Sequence, residues 1–365
     1  MAESLLSLGH EVHFLHVQQK LRTPRQDMQR YWKDRLHEFR GLSVASCIHR
    51  GRRKLLRVVA KTFHLNPPVD SYFDPALSVY ARELLERCAF DVIIVSYVFY
   101  SRLLESITCP VLKIIDTHDV FSDRYLLYRE HGQPGEFFST GREGERRGLE
   151  RADVVLAIQE RDASHFRSLS RTPVTVVGHL APVVNATAGC AASQAPAMLF
   201  VGSAMGINAV GVAWFIELVL PAVREHLPDA ELWLVGGICR RIRGAAPGVR
   251  HFGFVDGVEE MYRRATVVVN PQPFGTGLSI KSVDALRHGR PLVTTASGAR
   301  GLEEASGVAF LQAESAEAFA SLLVELLRDP DRRASLADRA ADFARRYHER
   351  NLQALAEVVN RAVAR

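Results

Sequence analysis

The passage Pro271–Thr295, PQPFGTGLSIKSVDALRHGRPLVTT, constrains the fold more than any other part of the chain. It follows a β-branched run, Ala265–Val269, whose unbroken apolar character suits a parallel strand covered on both faces. A Gly-x-Gly turn (Gly275, Thr276, Gly277) comes next, and Leu278, Val283 and Leu286 then fall at helical spacing. Gly289 ends that helix and Pro291 opens a second strand, Leu292–Thr295. Strand, turn, helix and strand in this order make one unit of a parallel α/β sheet. The free N–H groups of the helix start face outward and favour an anion, Lys281 adds a full charge, and Asp284 can accept from a sugar hydroxyl. A Gly-x-Gly turn also serves simple tight turning, so at this point both readings stand.

The arrangement recurs. Met198–Val201 runs into Gly202, Ser203 and, after Gly206 and Ile207, Asn208, a second strand–turn–helix cradle for phosphate or sugar. Glu231–Val235 ends in Gly236-Gly237, and Arg250–Phe252 ends in Gly253-Phe254-Val255. Each glycine turn is a common connection by itself. Their placement at successive strand ends aims them at one crevice, because ligands of open α/β sheets bind outside the carboxyl ends of the strands.

In the first half, Asp91–Ser96 and Val111–Asp116 read as central parallel strands. The second ends in the polar cluster Asp116, Thr117, His118, Asp119, at the edge where chemistry belongs. His118 has two readings of equal weight: a residue facing substrate, or a loop histidine bonded to a neighbouring aspartate. Arg142–Arg151 reads as a solvated helix, Asp153–Ile158 as a strand, Glu160 and Ser164 as the start of another helix, and Val174–Val177 as the last strand of this sheet. Gly178–Ala195, low in charge and rich in Ala, Pro and Gly, reads as a linker.

The N-terminus departs from this scheme. Residues 2–17 predict a short amphipathic helix, a stop at Gly9 and the strand Val12–Val17. Such a helix ordinarily follows a first strand and glycine loop, so the first sheet is expected to lack the strand beside Val12–Val17 and to show a break there. Arg25–Arg40 predicts a helix and Leu42–Ile48 a strand. Arg50–Lys61 carries basic residues without an acid, around Leu55, Leu56, Val58 and Val59. Its plainer reading is a solvated helix face, its functional reading a contact with an anionic membrane surface. Tyr72–Cys88 predicts a further helix.

A chain of 365 residues suits two α/β domains. The formal net charge of +5 fits phosphate-bearing ligands and does not single out nucleic acid. Five scattered cysteines without a CxxC pair point to a reducing compartment, with neither a disulfide framework nor a zinc site. No membrane-length apolar run or signal peptide is expected, which places the protein in the cytoplasm. Asp329-Pro330-Asp331 has the spacing of a D-x-D metal site, but Asp329 as N-cap and Pro330 at the first helical position explain it better, and no catalytic metal or cofactor is expected.

The segment FGTGLSIKSVDALRHGRPLVTT resembles the donor-binding region of retaining glycosyltransferases of the GT4 type. The resemblance implies the GT-B fold, with two Rossmann-like, doubly wound domains facing a cleft. Many members carry two glutamates separated by seven residues, the second followed by Ala and a Gly-x-Pro step. Asp284 and Gly289-Arg290-Pro291 match the second acid and the step, and Thr276 stands where the first acid falls. Gly202, Ser203, Asn208 and Trp214 match the family's strand–turn–helix after the linker, and Gly253-Phe254-Val255 resembles its base-stacking turn.

The resemblance implies residues 1–182 as the acceptor-side domain, 183–345 as the nucleotide-sugar domain and 346–365 as a helix crossing back. It implies His118 and Lys281 as catalytic, and Gly202, Ser203, Asn208, Gly236, Phe254, Val255, Gly275, Thr276, Gly277, Leu278 and Asp284 as donor-binding. The activity implied is metal-independent hexosyl transfer with retention, from a nucleoside diphosphate sugar to a glycan, lipid-linked or small-molecule acceptor. Two other readings stay open: a non-catalytic homologue acting as a scaffold, and a sugar-nucleotide epimerase.

Overall fold

The structure, a computed structural model, describes residues 1–18, 32, 36, 38–43, 66–184 and 196–363. Three parallel ladders organise them: a two-stranded pair, a four-stranded ladder (the first sheet) and a six-stranded ladder (the second sheet). Strands β1 (His13–Gln18) and β2 (Glu38–Ser43) pair with each other. Strands β3 (Val92–Ser96), β4 (Leu112–Asp116), β5 (Val154–Ala157) and β6 (Val174–Val176) form a second ladder in that order. Among the described residues no ladder joins β1 to β3. The helix Ala2–Ser7 (α1) leans Leu5 on the cluster that contains Leu112 and Ile114, and the His13 ring meets Phe90 edge-on at 5.0 Å.

The third ladder has six strands. In chain order these are β7 (Ala197–Val201), β8 (Glu231–Val235), β9 (Val249–Gly253), β10 (Val267–Asn270), β11 (Leu292–Thr294) and β12 (Leu311–Gln312). Their spatial order is β12-β11-β10-β7-β8-β9, a doubly wound sheet whose direction of winding reverses between β7 and β10. The crevice at such a reversal is where this architecture binds ligands, and here it lies between Gly202, after β7, and Pro271–Gly277, after β10. All four residues of β10 are buried, as its unbroken Val-Val-Val run requires.

The helix Gly206–His226 (α2) covers one face of this sheet with Val212, Phe215, Val219, Leu220 and Val223. It widens to a π-turn at Phe215–Val219 just before Pro221, whose missing N–H and bulky ring cannot continue a regular ladder. At 21 residues and a mean hydropathy of 1.7 it is long and apolar enough to cross a membrane, contrary to the expectation that no run approaches that length. Its apolar face is spent on the sheet and on Phe319 of the helix Ala316–Arg328 (α3), which explains the composition without a bilayer.

The last helix, Pro330–Val363 (α4), is continuous over 34 residues. Its early part sends Ala340, Ala344 and Tyr347 into the second sheet's core, and Leu355, Val358 and Val359 pack with Leu112, Ile114 and Val154 of the first sheet. Asp329 Oδ1 accepts from Arg332 N–H at 2.9 Å, the N-cap role expected for the Asp-Pro-Asp triplet.

Other expectations shift. Glu38–Arg40, read as the end of a helix, opens β2 instead, because pairing with β1 overrides local helix propensity. The helix expected from Tyr72 starts at Ala76, after a 3-10 turn at Val69–Tyr72. The strand expected at Val308–Leu311 shrinks to Leu311–Gln312. Arg50–Lys61, most of Arg25–Arg40 and linker residues 185–195 lie outside the described residues.

Candidate active site

The carboxyl ends of the second sheet meet as a row of turns. Gly236 N–H donates to Gly253 O at 2.6 Å, and a Cβ on Gly236 would lie 2.7 Å from Gly202 O, so the turns after β9, β8 and β7 touch in succession. Phe254 stands 61% exposed at the end of the row, with the Arg240 guanidinium 5.0 Å from its ring centroid, and Val255 turns back onto the core. Asn208 is buried and donates to Ser203 O at 3.1 Å and to Ser203 Oγ at 3.2 Å, which fixes the first cradle from within.

Beside it, Pro271–Gly277 rests on a buried polar network. Asn270 Nδ2 donates to Ser279 Oγ at 2.8 Å and Ser282 Oγ at 2.9 Å, and Thr294 Oγ1 donates to Asn270 O at 2.9 Å. The helix that follows, Ile280–Arg287, buries Ser282, Val283, Ala285 and Leu286. Lys281, in its first turn, donates to Gln272 Oε1 at 3.2 Å. Burial lowers the pKa of the ammonium to about 8, against the opposing charge of Asp284, so the cation lacks an anion close enough to hold it fully charged. Asp284 itself accepts from Arg287 Nε at 2.7 Å on the same helix face.

The first half of the chain closes over this turn. Gly277 has φ +71°, and a Cβ there would lie 2.5 Å from His118 O and 2.7 Å from Asp119 Oδ1. Only glycine combines that backbone with so close an approach. Thr276 Oγ1 donates to Asp119 Oδ1 at 2.9 Å. Gln159 Nε2 donates to Gly277 O at 2.8 Å. Glu136 accepts from Gly206 N–H, at the start of α2, at 2.9 and 2.8 Å to its two oxygens. Phe274 stacks on His131 at 4.1 Å and meets Tyr128 edge-on, while Ile207 joins Tyr128 and Phe274 in one cluster. His118 and the Gly275–Lys281 segment therefore border the same crevice, from opposite sides.

The His118 side is electrostatically built. Its Nε2 lies 3.3 Å from Asp116 Oδ2, and its ring lies 4.5 Å from Tyr97. Burial pulls the imidazole pKa down, but the hydrogen bond and charge of Asp116, with the charge of Asp119, outweigh it and raise it above the ordinary value. Asp119 is raised by burial, a shift that the Arg124 guanidinium at 3.2 Å and the Thr276 hydroxyl only partly offset. Tyr97 adopts φ +72° beside the histidine, and its ring meets that of Phe137, which has φ +66°, at 5.8 Å. A cavity of about 380 Å³ opens alongside, lined by Gln159, Arg161, Gly178, Gly301, Tyr347 and Arg350 among others.

Residues 195–329 match the family described as glycosyl transferases group 1. That segment is similar to a group 1 glycosyl transferase unit. It contains both glycine cradles, Phe254, Lys281 and Asp284. Solved structures with the same fold include Anabaena HepE in complex with UDP and glucose, 15% identical over 95% of this chain and 98% of that one, at a TM-score of 0.58. Sucrose-phosphate synthase from Thermosynechococcus elongatus is 18% identical over 80% of this chain and 78% of that one, at 0.62. TarM is 11% identical at 0.57, covering 78% of this chain, which spans only 57% of the TarM chain. A curated relative, an uncharacterized 44.6 kDa protein in the cps region of Klebsiella pneumoniae, is 24% identical over 164 residues. The chain spans 42% of that relative's length in the match. The α/β architecture of parallel sheets, expected as GT-B, is the one these solved structures share.

Several residues at the site were not singled out in sequence. Gln159 lies directly after β5, at a carboxyl edge, so the strand-end rule applied to this strand as well would have pointed to it. Asp162 reads as an ordinary acid in the first turn of a helix. Glu136 lies in an irregular segment that carries no pattern.

Proposed function

We propose that this chain transfers a sugar from a nucleoside diphosphate sugar to a glycan, lipid-linked or small-molecule acceptor, with retention and without a metal, as a GT4-type enzyme. The observation that carries the reading is the Gly275–Gly277 turn, set at the winding reversal of the second sheet, with Lys281 behind it and His118–Asp119 directly opposite.

In this reading the departing diphosphate is met by the N–H groups around Gly277 and Leu278, by the Gly202–Ser203 turn and by Lys281. Anion binding opposes the lowering of the Lys281 pKa that burial causes. Phe254 and Val255 take the base, Gly236 borders it, and Asp284 takes the ribose. His118, held by Asp116, presents positive charge and a ring edge to the sugar. With no protein nucleophile assigned, the leaving phosphate serves as base toward the acceptor hydroxyl. Residues 1–182 form the acceptor side, 183–345 the donor side and 346–365 the return helix. The setting is the cytoplasm, with Arg50–Lys61 toward an anionic membrane face.

The bound UDP of the Anabaena structure supports a uridine diphosphate donor as the first to try. The test is calorimetric titration with UDP and an assay of UDP-sugar hydrolysis across a donor panel. Absence of both binding and hydrolysis would overturn the enzyme reading. A non-catalytic scaffold is the second reading, and one contact favours it: Thr276 replaces an acid, and its hydroxyl is engaged by Asp119.

A further inference from the structure

Gln159 and Asp162 stand outside the donor set proposed above, yet they reach it. Gln159 is buried, and its Nε2 donates to two acceptors, Asp162 Oδ1 at 3.0 Å and Gly277 O at 2.8 Å. Gly277 O only accepts, and Asp162 Oδ1 accepts whether the carboxyl is ionised or carries its proton on Oδ2, so one orientation of the Gln159 amide serves both. Without Asp162 the amide is held by the Gly277 carbonyl alone, one hydrogen bond in place of two, and its grip on the turn loosens.

Asp162 is itself 4% exposed, and its Oδ2 has no hydrogen-bond partner. A buried carboxylate with an orphan oxygen is unfavourable for folding. The charged groups around it are mixed: Asp119 opposes its ionisation, while Arg300 and, more weakly, His165 favour it. Burial dominates and pushes its carboxyl up to about 7. A packing role alone would be better served by an apolar side chain.

We propose that Asp162 is a positioning residue that, through Gln159, locks the Gly277 carbonyl and so sets the glycine turn of one domain in register with the other. The pair forms one half of a clamp whose other half is Asp119 on Thr276. Each grips the same turn from the first domain, one by a side chain and one by a backbone oxygen. This inference rests on the reading of that turn as part of the donor site, and its test separates the two.

The full chain is prepared as wild type, Asp162→Leu, Asp162→Asn and Gln159→Leu. Hydrogen exchange of the segment 270–282 and UDP affinity by calorimetry are then measured. Asn retains an acceptor at Oδ1, so Asp162→Asn is expected to keep wild-type UDP affinity and to leave the segment at least as protected from exchange as in wild type. Asp162→Leu and Gln159→Leu should each speed exchange in that segment and weaken UDP at least fivefold. Their double variant should be no worse than either alone, since both break one link. Unchanged exchange in both leucine variants overturns the clamp. Faster exchange with no UDP binding by any form, wild type included, upholds the clamp and removes the nucleotide reading. Failure of Asp162→Asn to restore wild-type exchange overturns the orienting role.

Discussion

Thr276 and Asp119, 157 residues apart in sequence, share a 2.9 Å hydrogen bond across the cleft. The threonine hydroxyl donates, and the carboxylate also faces Arg124 at 3.2 Å. The position where the resembled family carries an acid is thus supplied with a carboxylate by the opposite domain. Thr276→Val keeps the shape and removes the donor. It is expected to lower UDP-sugar turnover about tenfold, the loss of one hydrogen bond to a charged group at about 1.5 kcal/mol. Kinetics of Thr276→Val beside Thr276→Ser, which retains the hydroxyl, check this.

Lys281 carries the phosphate reading. Lys281→Ala should weaken UDP by about 10- to 100-fold, for a charge-assisted bond worth about 1.5–3 kcal/mol. The pH dependence has a definite sign. Burial lowers the free ammonium pKa to about 8, so affinity should hold below that value and decline as pH rises through it. Titrations from pH 7 to 9.5 test both, and in Lys281→Ala this decline should vanish.

The close approach at Gly277 predicts an asymmetric result. Gly277→Ala must relieve contacts of 2.5 and 2.7 Å to His118 O and Asp119 Oδ1 from a left-handed backbone. The cleft has to part to admit the methyl. Destabilisation of about 1–3 kcal/mol is expected, with most of the activity lost. Denaturant melts and small-angle scattering on the variant measure it.

Much of this site is legible in sequence, for one reason. His118, Gly202, Gly236, Gly275 and Lys281 all sit where a parallel strand ends, and strands buried on both faces announce themselves as apolar runs. Gln159 follows the same rule and needed only its consistent use. Glu136 and Asp162 obey no local rule, because each acts on a partner fixed by how two domains meet. The Gly206–His226 helix shows the reverse limit. Its composition satisfies a membrane test, and only the sheet and Phe319 beneath it show where its apolar face goes.

Asp162 also predicts how stability varies with pH. Its folded pKa is raised from 3.8 to about 7, so the fold favours the protonated acid. Its contribution is fully present below pH 3.8 and is lost as pH rises through about 7. Asp162→Asn removes the charge and should stabilise the protein at pH 8, by an amount on the order of 3 kcal/mol, with little effect at pH 4. Chemical denaturation at the two pH values checks the sign.

The uninterrupted helix Pro330–Val363 has a mechanical consequence. At 1.5 Å per residue it is a rod of about 50 Å, seated on the second sheet's core at one end and on the first sheet's core at the other. Midway, Asn351 Oδ1 accepts from Gly178 N–H at 2.6 Å, and a Cβ at Gly178 would lie 2.1 Å from Tyr347 Oη. The chain crossing between domains therefore bears directly on the shaft. A single rod seated on both cores ties the two sheets together, so parting them means either bending the helix or lifting Leu355, Val358 and Val359 off the first sheet.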